Sequence, residues 1–423
     1  MPVGRCRVKQ ASPRVRLAEA RWYASARMLE FSDARRQILA AAQVLESESV
    51  TLADAAGRVL AETLHASTPL PPFDYSAMDG YALRSTDVNG NAPWELPVNG
   101  ECRAGDTPVA LVAGSALRIF TGAPLPTGAD AVLIQENVTR TESGIRFTHP
   151  VAPLENVRRA GEDLASGAIG IRAGTRLGPF HLGLVAALDR DRVRVSRRPR
   201  VVIVPTGNEL RAAGSAARPG SIPESNSVAL LALCAAAGAD ARLGSRLADE
   251  TATAAAAFRD VLGACDLLVT VGGVSVGDHD IVRPALTEAG AALEFWKVAI
   301  KPGKPLTFGR AGRTLILGLP GNPVSAQLTF ALFGMPLLRA LQGDAKPLPP
   351  ALRVALAEPL RQKPGRLGVY RARLEANRAL LDQNQASGST VSLALADALV
   401  FVPKDVSELE AGSELDAVRL AEL

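Results

Sequence analysis

At 423 residues the chain exceeds what one hydrophobic core usually organises, so roughly two to four domains are expected. Apolar content of 47% is ample for burial, aromatics at 4% point to a small-residue α/β interior, and no apolar run approaches the roughly 20 residues of a membrane helix. The formal charge of +4 misleads, because residues 1–27 carry +6 and leave −2 for the other 396, which supports neither a basic body nor nucleic-acid binding.

The first 27 residues are Arg-rich and acid-poor, a pattern shared with transit peptides. Met28 followed by LEFSDARRQIL reads instead as a translation start with a helix behind it, so 1–27 is expected to be an over-extended start or a disordered basic arm. Residues 32–46 form a helical pattern with Ser32 as N-cap and Ala34, Ile38, Ala41, Ala42 and Leu45 on one face. Leu52 to Leu64 reads as a second, shorter helical or mixed segment, so 28–65 is expected to be mainly helical. Pro69, Pro71 and Pro72 then exclude helix, and Asp74-Tyr-Ser-Ala-Met-Asp79-Gly80 gathers two carboxylates, a hydroxyl and a glycine. Short β-like runs from Tyr81 to Phe147 predict a small β-rich domain over 66–164. It contains the stiff Thr121 loop, ending at Pro126, and the Arg158, Arg159, Gly161, Glu162, Asp163 cluster. Residues 165–198 read as a turn-rich return.

Strand and helix patterns alternate through 199–343, the signature of an α/β domain. Val201 to Val204 leads into Pro205-Thr206-Gly207-Asn208-Glu209, and Asn226 or Ser227 is expected to cap a helix over 228–237 closed by Gly238. Asp249 precedes an alanine-rich helix. Leu267 to Val271 is apolar throughout, as in a strand buried on both faces, and runs into Gly272, Gly273, Ser275, Gly277, Asp278, His279 and Asp280. A strand over 294–300 delivers Lys297, Lys301 and Lys304 around two prolines. Thr314 to Leu319 ends in Pro320-Gly321-Asn322-Pro323, where Asn322 as N-cap and Pro323 at the first position predict a helix over 324–341. In a parallel sheet the loops 205–209, 272–280 and 320–325 share the carboxyl edge, where such folds bind ligands. After the proline linker 347–350 the pattern becomes β-only, giving a terminal domain over 344–423.

No serine or histidine pattern suggests a nucleophilic triad, and Cys6, Cys102, Cys234 and Cys265 lie too far apart for a zinc site or a disulfide framework. They point to a reducing, cytoplasmic setting, with Cys234 as core filler. Taken singly, the glycine turn is as consistent with a tight turn as with an anion cradle, and each carboxylate with a surface acid. Glycine amides, lysines and loop carboxylates together match a phosphate site with Mg²⁺, which takes one or two carboxylates plus phosphate oxygens.

Pro72-Phe-Asp74-Tyr-Ser-Ala-Met-Asp79-Gly80-Tyr81-Ala82, Thr121-Gly-Ala-Pro-Leu-Pro, Gly161-Glu-Asp163, Pro205-Thr-Gly-Asn-Glu209, Gly272-Gly-Val-Ser-Val-Gly277, Lys301-Pro-Gly-Lys304-Pro and Leu319-Pro-Gly-Asn-Pro-Val324 occur in this order. Together they resemble the molybdopterin molybdenumtransferases, the molybdenum insertases that include the gephyrin insertase domain. The likeness runs from about Met28 to the C-terminus. It implies a multidomain α/β fold: a three-layer α/β domain like the molybdopterin adenylyltransferases, an inserted β-rich domain and a small C-terminal β-barrel. It also implies an elongated homodimer, with the cleft between the α/β domain of one subunit and the inserted domain of the other. The substrates implied are molybdate and adenylylated molybdopterin, whose adenylate is hydrolysed with Mg²⁺, and contact with a molybdopterin adenylyltransferase is expected.

Carried over by position, the catalytic residues are Asp79, Thr121, Asp163, Glu209, Asp249, Asp280, Lys297 and Lys301, with Glu209 and Asp280 as metal ligands. Gly272, Gly273, Ser275, Gly277, Lys304, Pro320, Gly321, Asn322 and Ser389 would bind the ligand. The serine-rich loop of the family matches only loosely here, at Gln385 to Ser392, so Ser389 and Ser392 are weak choices. A lone adenylyltransferase would lack the flanking domains, and a scaffold need not keep the acids and lysines.

Overall fold

The computed structural model describes residues 28–247, 250–273 and 281–423. They divide into two compact units, Ser49–Val195 on one side and the residues up to Glu48 with Ser196–Leu423 on the other.

The second of these is built on a six-stranded sheet ordered Asp240–Leu243, Arg200–Pro205, Leu267–Val271, Thr314–Leu319, Pro305–Ala311, Ala292–Lys297. The first four strands run parallel, Pro305–Ala311 runs antiparallel to them, and Ala292–Lys297 is antiparallel to Pro305–Ala311 in turn. Every residue of Leu267–Val271 is buried, as expected of a strand covered on both faces. The alternation along Arg200–Pro205 shows how both faces are filled. Val201 and Ile203 join Leu230, Cys234, Phe330 and Leu337, while Val202 and Val204 join Ala254, Phe258, Leu268 and Leu286. The lysine strand is Ala292–Lys297 rather than 294–300, because the chain leaves the sheet at Val298 to return as Pro305–Ala311.

Helix starts differ from expectation in two places. The first helix is Phe31–Ala40, with Glu30 rather than Ser32 at the N-cap position, and it ends well before residue 46. The next helix of this unit is Asn226–Ala236, with Ser225 at the N-cap position; its free amide at Ser227 is satisfied by Glu224 Oε1 at 2.9 Å. Neither Asn226 nor Ser227 is the cap. Pro323 does stand first in its helix after Asn322. That helix runs on through a π segment, Phe330–Gly334, to Leu341. By length and composition the Pro323–Leu341 run passes as a membrane span, which the sequence alone did not suggest, but 83% of its apolar window is buried inside this unit. It is a core helix.

The strand Leu267–Val271 is anchored at its amino end by Asp266. Its carboxylate accepts from Arg197 Nη1 and Nη2 at 2.7 and 2.9 Å and from the Arg200 amide at 2.7 Å. Burial alone would raise this carboxyl, but the arginine and amide hydrogen bonds bring it below the usual range. Asp266→Asn is expected to lower stability by about 2–3 kcal/mol, since it strips a half-buried guanidinium of its two-point carboxylate and leaves it only the more exposed Glu46, at 2.8 Å from Nε. A melting temperature unchanged within about a degree would contradict this.

Beyond the proline linker, Leu367–Glu375, Arg378–Leu381, Leu352–Leu356, Glu414–Arg419 and Ala398–Val402 pair in turn, and Ala398–Val402 pairs back with Leu367–Glu375, closing a small barrel. Its interior is Val354, Leu356, Ala372, Ala379, Val400, Val402, Leu415 and Ala417. Arg371 is also fully buried; its Nε donates to Ser392 Oγ at 2.7 Å and its Nη2 to the Asn384 carbonyl at 2.7 Å. That arginine shapes the 384–392 loop from inside.

The unit Ser49–Val195 holds a six-stranded sheet ordered Ala131–Ile134, Gly80–Leu83, Ala116–Ile119, Trp94–Cys102, Gly144–Phe147, Val138–Arg140, in keeping with the β-rich reading. Two expectations fail. Residues 52–64 form turns and bridges with no helix, and Pro179–Ala187 is a helix inside the supposed turn-rich return.

Candidate functional site

In the sheet register Val271 stands between Pro205 and Leu319. Thr206, Gly272 and Pro320 therefore leave the carboxyl edge side by side, as the parallel arrangement predicts. The Thr206 amide and Oγ1 both donate to the Val271 carbonyl, at 2.9 and 3.0 Å, and the Gly272 amide donates to the Leu319 carbonyl at 3.0 Å. Both glycines are needed here. Gly272 has φ +87° and a Cβ on it would lie 2.8 Å from Thr206 Oγ1; Gly273 has φ +62° and its Cβ would lie 2.6 Å from Val282 Cγ2.

These loops wall a cleft of about 510 Å³ lined by Thr206, Glu209, Glu224, Asn226, Gly272 and Asn322, together with Gly273, Pro320 and Gly321. Asn226, expected as a helix cap, is 7% exposed and donates from Nδ2 to the Gly321 carbonyl at 2.9 Å, fixing the Pro-Gly-Asn turn. Asn322 donates from Nδ2 to Ser387 Oγ at 3.1 Å, and the Val324 amide to the Ser387 carbonyl at 3.0 Å. The serine that meets the α/β loops is thus Ser387, while Ser389 stands just before the short helix Thr390–Ala394.

A second cleft, of about 640 Å³, adjoins the first at Pro305, which lines both. Among the described residues its charged lining is Lys301, Lys304 and Arg366, with Tyr370, Gln385 and Ser387 as neutral polar groups and no carboxylate. Lys297 pairs in register with Pro305. Its Nζ lies 3.6 Å from the centre of the Trp296 ring, with Arg283 Cζ at 4.6 Å from the same ring. Burial first, then the charges of Lys304 and Arg283, lower the Lys297 pKa, so three cations share this corner.

Within the unit Ser49–Val195 a separate group forms. Residues 74–77 lie between two loops: the Gly122 amide donates to the Ser76 carbonyl, the Leu125 amide to the Asp74 carbonyl and the Ala77 amide to the Asn156 carbonyl. Asp79 Oδ1 accepts from the Thr121 amide at 2.8 Å and Thr121 Oγ1 at 2.9 Å, so these two expected residues do meet. The two Thr121 bonds, aided by Arg118, hold the Asp79 carboxyl below the usual aspartate range. Asp163 accepts from Arg158 Nη2 at 3.3 Å, and Asp74 accepts from the Ala160 amide at 2.7 Å.

With a depressed folded-state pKa, Asp79 contributes stability above the ordinary aspartate value and loses it as pH falls through the lower folded one. Thr121→Val is expected to move the Asp79 carboxyl back toward its ordinary value, leaving only the amide bond. A carboxyl-carbon NMR titration showing no upward movement would refute the pairing.

Asp249, Ser275, Gly277 and Asp280, with Asp278 and His279, lie outside the described residues. Among the described residues no group of three or more His, Cys, Asp or Glu is placed to hold a metal ion. The residues that sequence reading overlooks are Ser387, Arg366, Arg283 and Trp296. Ser387 lies in the loop already flagged, but nothing in the local pattern separates it from its neighbouring serines.

Three family models match the chain in order. These are the MoeA N-terminal region (domain I and II) over residues 29–188, a probable molybdopterin binding domain over 202–340, and the MoeA C-terminal region (domain IV) over 353–420. The sequence is 37% identical over 378 residues to molybdopterin molybdenumtransferase 2 of Mycobacterium tuberculosis, covering 87% of this chain and 93% of that protein. To the molybdopterin molybdenumtransferase of Haemophilus influenzae it is 37% identical over 329 residues, covering 77% and 81%. The crystal structure of the molybdopterin biosynthesis moeA protein from Pyrococcus horikoshii OT3 superimposes with a TM-score of 0.82 at 29% identity, covering 93% of this chain and all of that one.

Proposed function

Because the chain belongs to the molybdopterin molybdenumtransferase family, and is thus an enzyme of molybdenum-cofactor biosynthesis, we propose that it moves molybdenum from molybdate into adenylylated molybdopterin, with Mg²⁺-dependent hydrolysis and release of AMP. The observation that carries this reading is the convergence of three strand-end loops on one cleft, beside a second cleft whose charged lining, among the described residues, is cationic. Lys301, Lys304 and Arg366, already held around the cleft, neutralise the oxyanions of a polyanionic substrate as charge develops. Lys297 adds a partly desolvated charge beside them.

The Mg²⁺ of this reading is one shared with a phosphate, an ion that takes few protein carboxylates and keeps its waters. Glu209, which lines the first cleft, and Asp280, which lies outside the described residues, would hold it, and the ion would polarise the phosphoryl centre. Asp79, Thr121 and Asp163 enter the reading as the contribution of a second subunit in a homodimer. A molybdopterin adenylyltransferase would deliver the substrate. The buried free thiols of Cys102, Cys234 and Cys265 support a reducing, cytoplasmic setting.

Molybdate-dependent release of AMP from adenylylated molybdopterin tests the reaction, and AMP release indifferent to molybdate would refute it. Mixing Asp79→Ala with Lys301→Ala subunits tests the shared site. Each alone should be inactive, and exchange should restore part of the activity through hybrid dimers with one intact cleft. Hybrids that form yet stay inactive would exclude a site built from two chains.

A further inference from the structure

We propose that Trp296 is a positioning residue for Lys297, its indole face holding the ammonium in place without neutralising it. The inference rests on the phosphate-binding reading of the lysine region given above.

The chain has seven lysines among its 47 basic residues, and three of them fall at 297, 301 and 304. Lys301 and Lys304 are exposed, whereas Lys297 is half-buried, with its Nζ 3.6 Å from the Trp296 ring centre. Trp296 is only 3% exposed, in the edge strand Ala292–Lys297, so the ring is fixed by the fold. Arg283, from the helix that follows the glycine turn, lies against the same indole at 4.6 Å. One aromatic side chain therefore ties the glycine-turn helix to the lysine strand.

The choice of an aromatic partner matters electrostatically. A carboxylate would hold an ammonium firmly but cancel its field. A ring quadrupole attracts the cation while leaving its full charge for an incoming anion. Among the described residues no Asp or Glu makes an ion pair with Lys297, Lys301 or Lys304. Burial and the neighbouring Lys304 and Arg283 disfavour the charged form of Lys297, and the ring offsets part of that loss.

Two measurements test this on the full chain. With seven lysines, reductive ¹³C-methylation, which keeps the charge, gives a small set of resolved methyl signals. The Lys297 signal, identified by its loss in Lys297→Arg, should be displaced upfield by the ring current and should return to the common position in Trp296→Leu. An undisplaced signal in the unsubstituted protein overturns the proposal.

The second measurement is calorimetric binding of inorganic pyrophosphate. Lys297→Ala and Trp296→Leu are each expected to weaken it about tenfold, the double variant no more than about twofold further, and Trp296→Phe less than about threefold. Independent losses that multiply to about a hundredfold in the double variant overturn the proposal, because Trp296 would then act structurally. If Trp296→Leu fails to fold, Trp296→Phe carries the test. It must keep both the displaced signal and the binding, and loss of both is contrary to the proposal. If the unsubstituted protein does not bind pyrophosphate, the phosphate reading fails, and the methyl signal alone decides whether Trp296 positions Lys297.

Discussion

Gly80→Ala is expected to destabilise the inserted β-sheet severely, while Gly183→Ala in the same unit is expected to stabilise it. Gly80 opens the strand Gly80–Leu83, which lies between Ala131–Ile134 and Ala116–Ile119. A Cβ there would overlap the Leu133 carbonyl oxygen and come within 2.9 Å of the Leu133 carbonyl carbon and 3.1 Å of Ile134 Cα. All three are backbone atoms of a paired strand, so relief requires breaking the ladder, at about 3 kcal/mol or more. The damage would reach the site acid, because the Gln135 amide donates to the carbonyl of Asp79, the residue before the glycine. Gly183 is the opposite case. It lies inside the helix Pro179–Ala187 with nothing within 4 Å of an added Cβ, so alanine should gain about 0.5–1 kcal/mol. Calorimetry combined with limited proteolysis of Ser49–Val195 separates them. Equal melting temperatures for the two variants would mean that the Gly80 register is misassigned.

The contrast between those glycines also marks what a sequence discloses. Leu267 to Val271 announces a doubly covered parallel strand because all five side chains are apolar, and the loops after its two neighbours follow from the same logic. Asn322-Pro323 gives a helix start that local stereochemistry settles, and the structure keeps it. The helix Pro179–Ala187 is hidden because PFHLGLVAA has a central glycine and no polar face, and Phe180 is 93% exposed. The Glu224 bond to the Ser227 amide is likewise hidden, since it comes from outside the helix in place of the expected Asn226. Site residues sort in the same way. Asp79 and Thr121 are visible as motif members, and only tertiary structure shows that they bond to each other. Arg366, Arg283 and Trp296 carry no local signal, because an arginine or tryptophan in a bend, helix or strand reads as surface or core. Their significance comes from elements that sequence distance separates.

Lys301→Ala is expected to weaken binding of adenylylated molybdopterin by about 2–5 kcal/mol, or roughly 30-fold to several thousand-fold, as for loss of a charge contact that is desolvated in the complex. The backbone holds this residue in place. Ile300–Lys301 pairs with Leu367–Gly368 of the barrel, Ile300 is fully buried, and the Leu367 amide donates to the Ala299 carbonyl at 2.9 Å. Its side chain lines the cationic cleft with Lys304 and Arg366, where no carboxylate among the described residues competes for it. Lys301→Arg keeps the charge but replaces a compact ammonium with a planar fork, so an intermediate loss is expected. Lys363→Ala is the control, removing an exposed lysine that lines neither cleft. Its effect should stay within about twofold, and should shrink as salt screens a distant charge. The Lys301→Ala deficit should persist at high salt, because a contact buried under the ligand is screened far less. Titrating the substrate against the three variants at two ionic strengths decides the matter. If Lys301→Ala resembles Lys363→Ala, the lysine contributes only to the general field, and the phosphate contact must be assigned to Lys304, Arg366 or Lys297.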